Sequence, residues 1–320
     1  MQIESNIQEI YDRFMRARQD TQPHCVTPKK ADAFRNAMLG LLVADAAGVP
    51  FECGWRDQYS VSDMVGYEPS MPGYHEQAIP IGTWSDDGSL TLATLDSHRV
   101  CGGWDSADLL QRFCSWFYED RYVPQGQKRF GEGKVTVRAF ENFRAGLPAD
   151  SCGVAEETAL GNGSLMRILP LAFFPHTTAD IARVSSLTHA AKTCAMACVC
   201  YIEIAERLLA GADKTDAVRA QDWPQSAAFA RMAAIDTLSR DEILSSGNVI
   251  ETLEAVLWCF LTTDNYRDCI LTAINLGRDT DTIAAIAGGL AGFYYDGEAG
   301  IPAQWIKNLQ PGYEQYVFTE

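Results

Sequence analysis

The stretch "NLGRDTDTIAAIAGGLAG", residues 275–292, decides how this chain is read. Three oxygen-bearing side chains, Asp279, Asp281 and Thr282, stand at its start. A run of small apolar residues follows, with Ala284, Ala285, Ala287, Gly288, Gly289 and Ala291. Such a run predicts a buried helix over about 280–295 with a smooth face, against which another helix packs closely. A second stretch, "GTWSDDGSLTLATLDS" at 82–97, repeats the arrangement: Ser85, Asp86 and Asp87 precede an apolar run.

Two readings of these starts are open. Helix capping uses Ser and Asp oxygens to accept from the first free N–H groups, and acids suit the positive end of a helix. One cap per helix meets that need, whereas three oxygen donors in three or four residues, twice over, exceed it. Together the clusters offer four carboxylates and two hydroxyls, a donor set for hard divalent cations such as a pair of Mg²⁺ or Mn²⁺. The small residues behind the second cluster would let two helices bring the clusters to one point.

Outward from these stretches, helical periodicity dominates. Ile3, Ile7, Ile10 and Phe14 fall on one face of "IQEIYDRFM" and its flanks. "DSADLLQRFCSWFYED" has Asp105 or Ser106 as its cap and Leu109, Phe113 and Trp116 turned inward. Further helices are expected at about 135–145, 178–186, 189–211, 225–238, 249–261, 265–276 and 302–309. With no sustained period-2 alternation and no hairpin turn between strand-like runs, the fold reads as all-α. Residues 52–82 and 118–134 are long irregular connections of the kind that line functional sites. Residues 1–30 read as an N-terminal extension and 31–320 as one domain.

Composition narrows the function. Lys and Arg total 26 against 42 Asp and Glu, a net charge of −16, which disfavours duplex nucleic acid as a partner. No stretch approaches the roughly 18 consecutive apolar residues of a membrane span, and the polar N-terminus is no signal peptide. The ten cysteines include no CxxC pair. A zinc reading of His189, Cys194 and Cys198 lacks ligand spacing and polar neighbours, so the cysteines read as small buried hydrophobes in a reducing, cytoplasmic setting.

Several motifs in order resemble the ADP-ribosylglycohydrolase superfamily, the group that contains the dinitrogenase-reductase-activating glycohydrolase. They are "RNAMLGLLVADAAGVPFE" (35–52), "GTWSDDGSLTLATLDS", "GNGSLMRILPLA" (161–172), "THAAKTCAMACVCY" (188–201) and "NLGRDTDTIAAIAGGLAG". The similarity runs from about residue 32 to 310. It implies a compact orthogonal multi-helix fold with a metal-centred cleft. It implies two Mg²⁺ or Mn²⁺ ions held by Ser85, Asp86, Asp87, Asp279, Asp281 and Thr282, with Glu52, Asp87 and Asp281 at the reacting centre. Gly131, Glu132, Gly133, Asn162, Gly163, Ser164 and His189 match positions that surround the ADP-ribose. Arg167 and Arg278 would pair with phosphates or brace the acidic clusters. Where many relatives carry Phe-Asp-hydrophobic-Gly, this chain reads "RFGEGKVTVRAF" (129–140), so that Gly131 replaces the aspartate and Glu132 follows it.

The activity implied is metal-dependent removal of ADP-ribose from modified proteins, arginine-linked first, with protection against an ADP-ribosylating toxin as one setting. A rival reading is an immunity protein whose residues 1–30 block a cognate ADP-ribosyltransferase toxin. A third is a nucleotide phosphohydrolase, distinguished by release of phosphate or AMP.

Overall fold

A computed structural model describes residues 2–20, 22–71 and 75–318, without the side chains of residues 2–5. The described residues form helices α1 (Gln2–Arg16), α2 (Ala33–Gly48), α3 (Asp86–Cys101), α4 (Ser106–Glu119), α5 (Lys134–Arg144), α6 (Thr178–Ser186) and α7 (Lys192–Leu209). They continue with α8 (Lys214–Arg219), α9 (Val249–Thr262), α10 (Tyr266–Ile274), α11 (Thr280–Tyr294), α12 (Ala303–Asn308) and α13 (Glu314–Val317). The only β pairing among them is four isolated bridges. The all-α expectation holds.

Helices α2 and α11 form the centre of the molecule. An added Cβ on Gly40 would stand 2.3 Å from the Gly288 carbonyl, and one on Gly288 would stand 2.4 Å from Ala44 Cβ. Gly292 meets the Asn36 carbonyl in the same way. Glycines at these points let two backbones pack at a distance no larger side chain would permit. The partner of the small-residue face is therefore α2, not the helix that carries the other acidic cluster. At the far end of the crossing, Gly48 packs on the backbone of Asp281, and Thr280 Oγ1 donates to the Gly48 carbonyl at 2.8 Å. The end of α2 is thereby fixed to the start of α11.

Other expectations need adjustment. Residues 225–238 do not form an α-helix but two short 3₁₀ turns, Ala227–Phe229 and Met232–Thr237. The buried residues there, Phe229, Met232 and Ile235, recur every three positions, the repeat of a 3₁₀ turn. Helix α7 begins at Lys192 rather than 189, because His189 pairs with Val154 in an extended bridge. Helix α1 lies along α7 with Ile10 and Phe14 buried in the core and Ile7 packed against it. Ile3 lies outside the described side chains. Asp105 caps α4, accepting from Asp108 N at 2.8 Å, while Leu109, Phe113 and Trp116 are fully buried.

Candidate active site

The two acidic clusters meet. The α3 start carries Ser85, Asp86 and Asp87; the α11 start carries Asp279, Asp281 and Thr282; Thr282 Oγ1 lies 3.4 Å from Asp87 Oδ2. Between them stands Asp45 of α2, a residue for which no role was expected. Its carboxylate accepts from Ser85 N at 3.0 Å, Ser85 Oγ at 2.8 Å and Gly88 N at 2.8 Å. Oxygens of Asp45, Asp87 and Asp281 lie within 4.8 Å of one another, and so do oxygens of Glu52, Asp279 and Asp281. The signal for Asp45 was present: it is the lone ionisable residue in the apolar run from Met38 to Phe51.

Glu52 reaches the group because α2 ends in a 3₁₀ turn, Val49–Phe51, and the chain then clamps onto the α11 start. Cys53 N donates to Arg278 O at 2.6 Å, and Arg278 N donates to Gly54 O at 2.7 Å. Cys53 and Arg278 both adopt left-handed backbone, at φ 63° and 69°. That conformation disfavours residues with a Cβ by about 1–2 kcal/mol each. Strain of this kind concentrates at functional sites.

The electrostatics separate the two readings of these helix starts. Asp279 occupies the N-cap of α11, yet its side chain makes no capping hydrogen bond. It accepts instead from Asn162 Nδ2 at 2.6 Å. Ser85 does cap α3, accepting from Asp87 N at 3.4 Å, and its Oγ lies 3.0 Å from Asp87 Oδ2. Burial, followed by the neighbouring acids, pushes the carboxyls of Asp86, Asp87 and Asp281 well above the usual range. Burial raises Asp279 as well, and Asp45 to about 7. Asp87 Oδ1 is buried with no hydrogen-bond partner. A dry group of carboxylates with an orphaned oxygen lacks a positive charge, and its donors are the hard oxygens that divalent cations take.

These residues border a cavity of about 540 Å³, large enough for a nucleotide-sized ligand. Glu52, Asp86, Asp279, Asp281 and Thr282 line it on one side; Gly131, Glu132, Gly133, Gly161, Asn162, Gly163 and His189 line it on others. Ser85 and Asp87 stand behind that surface, closer to Asp45. Gly131, at φ 89°, packs so closely on Asp86 that an added Cβ would stand 2.3 Å from Oδ1. Backbone, not a side chain, fills that place. Glu132 pairs with Arg129 at 2.5 Å.

Ser164, expected at the substrate, and Arg167, expected at phosphates or at the acidic clusters, both lie behind the cavity wall. The Ser164 side chain is fully buried behind the loop, accepting from Ser185 Oγ at 2.9 Å. It sits at the start of a 3₁₀ turn that carries it inward. Arg167 forms no ion pair with the acids and does not line the cavity. Its guanidinium donates to the Gly163 carbonyl and to Thr188 Oγ1, the latter at 2.9 Å, and braces the loop from beneath. Thr188 Oγ1, which accepts from Arg167, lies 2.8 Å from His189 Nδ1. The His189 Nε2 stands beside the Gly161–Gly163 turn. Burial lowers its pKa to about 3 and keeps the ring neutral. Arg278 is exposed on the cavity wall, its guanidinium 4.3 Å from the centre of the Trp55 ring.

The all-helical body gathers carboxylates beside a ligand-sized cavity at its central crossing, and its relatives identify the class of enzyme. The sequence profile of the ADP-ribosylglycohydrolases matches residues 26–318, and the chain belongs to that family. It is 32% identical over 293 residues to an ADP-ribosylarginine hydrolase, Tri1, of Pseudomonas putida, covering 89% of this chain and 76% of that protein. It is 28% identical to the ADP-ribosyl-[dinitrogen reductase] glycohydrolase of Rhodospirillum rubrum, covering 91% and 94%. A solved structure described as an ADP-ribosylglycohydrolase-related protein complex superimposes with a TM-score of 0.69 at 27% identity, covering 89% of this chain and 94% of that one. The protein is a glycohydrolase that acts on ADP-ribosylated substrates. Among the described residues no helix is long and apolar enough to cross a membrane.

Proposed function

We propose that this glycohydrolase is metal-dependent and frees ADP-ribose from modified proteins, with ADP-ribosyl-arginine as its substrate. One observation carries the metal: the five acids Asp45, Asp86, Asp87, Asp279 and Asp281 are gathered with an orphaned oxygen on Asp87 and, among the described residues, no cation in an ion pair with them. Ser85, Asp86, Asp87, Asp279, Asp281 and Thr282 would hold two Mg²⁺ or Mn²⁺ ions. When bound, such ions orient the ribose hydroxyls and lower the pKa of a water. The arginine linkage is supported by the name of the Pseudomonas putida relative and by an acidic protein suited to a basic substrate segment.

The chain's own residues do the rest. Breaking the bond between the ribose anomeric carbon and the guanidine nitrogen develops positive charge on the sugar. Water oxygen bonds that carbon as the C–N bond breaks, the electron pair of that bond leaves with the already protonated guanidinium as neutral guanidine, and the Glu52 carboxylate takes the water's proton. Asn162 Nδ2 fixes the Asp279 carboxylate, so its replacement disturbs the acids as well as the loop. Backbone at Gly131–Gly133 and Gly161–Gly163 lets the ligand approach closely, His189 supports the second turn, and Arg278 offers a cation to the phosphates.

Protection against a toxin would follow from this hydrolysis. A blocking role for residues 1–30 would have to use the outer face of α1, since Ile10 and Phe14 are buried. The test is an arginine-ADP-ribosylated protein incubated with wild type and with Asp281→Ala, in Mg²⁺ or Mn²⁺ and in chelator. Mass spectrometry should record loss of ADP-ribose from wild type with metal alone. Intact substrate in every arm, or release of AMP or phosphate, would sink the proposal.

A further inference from the structure

A second cluster of ligating groups lies outside the cavity, where the segment after α1 crosses the body. His24 and His176 form an antiparallel bridge, His24 N donating to His176 O at 2.9 Å and His176 N to His24 O at 3.0 Å. Their rings stand 4.8 Å apart. Glu206 of α7 reaches between them, its Oε1 3.0 Å from His24 Nε2 and 3.6 Å from His176 Nε2.

The His176 side chain is entirely buried, and its Nε2 has no hydrogen-bond partner. Its Nδ1 lies 2.9 Å from the Phe174 carbonyl, so Nδ1 carries the proton and the Nε2 lone pair points at Glu206. A lone pair aimed at a carboxylate in a dry place is a costly pairing unless a cation joins the two. On His24, Asp20 lies on the Nδ1 side at 3.8 Å and leaves Nε2 to face inward. The Nδ1 of His176 held by a carbonyl, with its Nε2 free, is the arrangement of metal-bound histidines.

We propose that His24 Nε2, His176 Nε2 and Glu206 Oε1 hold a divalent transition-metal ion of the zinc class, which staples the segment after α1 to the body. Zinc bonds of roughly 2.0–2.2 Å place tetrahedral ligands about 3.3–3.5 Å apart, a spacing bracketed by the 3.0 and 3.6 Å found here. Imidazoles suit zinc, copper, iron and nickel better than magnesium, so this cluster and the acids of the cavity select different ions. None of the three residues lines the cavity.

The test uses the full chain, stripped with chelator, held in saturating Mg²⁺ and then offered Zn²⁺ alone. Zinc retained after desalting is counted by elemental mass spectrometry for wild type, His24→Ala and Glu206→Gln. His24 is exposed and Glu206→Gln is close to isosteric, so both variants should fold. Wild type should retain one more zinc per chain than either, and Zn²⁺ should raise the melting temperature of wild type alone. Equal zinc in all three proteins would overturn the proposal, because the cysteines and cavity acids are common to them.

Discussion

Helices α6 and α11 each carry an acid in the first turn, Asp180 and Asp281, and the two acids have opposite fates. At α6, Thr177 Oγ1 accepts from Asp180 N at 3.1 Å, Asp180 accepts in return from Thr177 N at 2.9 Å, and Arg183 pairs with Asp180 at 2.7 Å. Burial pushes the Asp180 carboxyl up, but the bonds from Arg183 and Thr177 outweigh it and hold the group below its ordinary range. At α11, Asp281 is buried among Glu52, Asp87, Asp279 and Asp45 and is pushed far above that range. One start is a satisfied cap. The other holds charge that only a cation or a proton relieves, and the direction of the shift distinguishes a structural acid from a functional one.

The largest expected effect tests that contrast directly. Asp281→Ala should lower kcat/KM by roughly 10³-fold, equivalent to several kcal/mol of lost transition-state stabilisation. Asp281→Asn should also raise the melting temperature in chelator, since it removes one of several mutually repelling charges, and lose that advantage in Mg²⁺. A lower melting temperature in chelator would show that Asp281 is a stabilising cap like Asp180. Next comes Asp45→Asn, which keeps the shape but offers one acceptor oxygen where the carboxylate accepts from Ser85 and Gly88 with two. A positioning residue of this kind should cost about 10–100-fold in activity or metal affinity. An unchanged kcat/KM would place Asp45 outside the machinery. Gly288→Ala is smaller again. The added carbon would press on Ala44 and the Gly40 carbonyl, an overpacking worth about 1–3 kcal/mol, read as a lower denaturant midpoint.

The same contrast explains what was legible in the sequence. Each acidic cluster lies within a few residues of one helix start, so its excess of oxygen donors could be seen locally. The small-residue face behind the second cluster announced a close helix crossing, but not that α2 would be the partner. Asp45 escaped notice because its partner Ser85 is 40 residues away and its neighbours are apolar. Ser164 and Arg167 share a motif with Asn162 and Gly163, yet a 3₁₀ turn sends the first two inward and leaves the others at the cavity. His24, His176 and Glu206 have no short spacing at all, because a bridge and a helix face bring them together. Local chemistry was readable; juxtaposition across the fold was not.

The smallest effect belongs to the ordinary cap, and it makes the comparison quantitative. Thr177→Ala removes the hydroxyl that accepts from Asp180 N and should cost about 1 kcal/mol, roughly 2 °C in melting temperature, with kcat/KM unchanged. Because Asp180 is held below its unfolded value, its contribution is present above an ordinary aspartate pKa near 3.9 and is lost as pH falls through the folded value. The stability gap between wild type and Thr177→Ala should therefore narrow in strong acid, where the protonated Asp180 no longer draws on the threonine. Chemical denaturation at pH 7 and at about pH 3 measures it. A gap that widened in acid would mean that Asp180, like Asp281, is relieved by protonation, and the division between the two helix starts would fail.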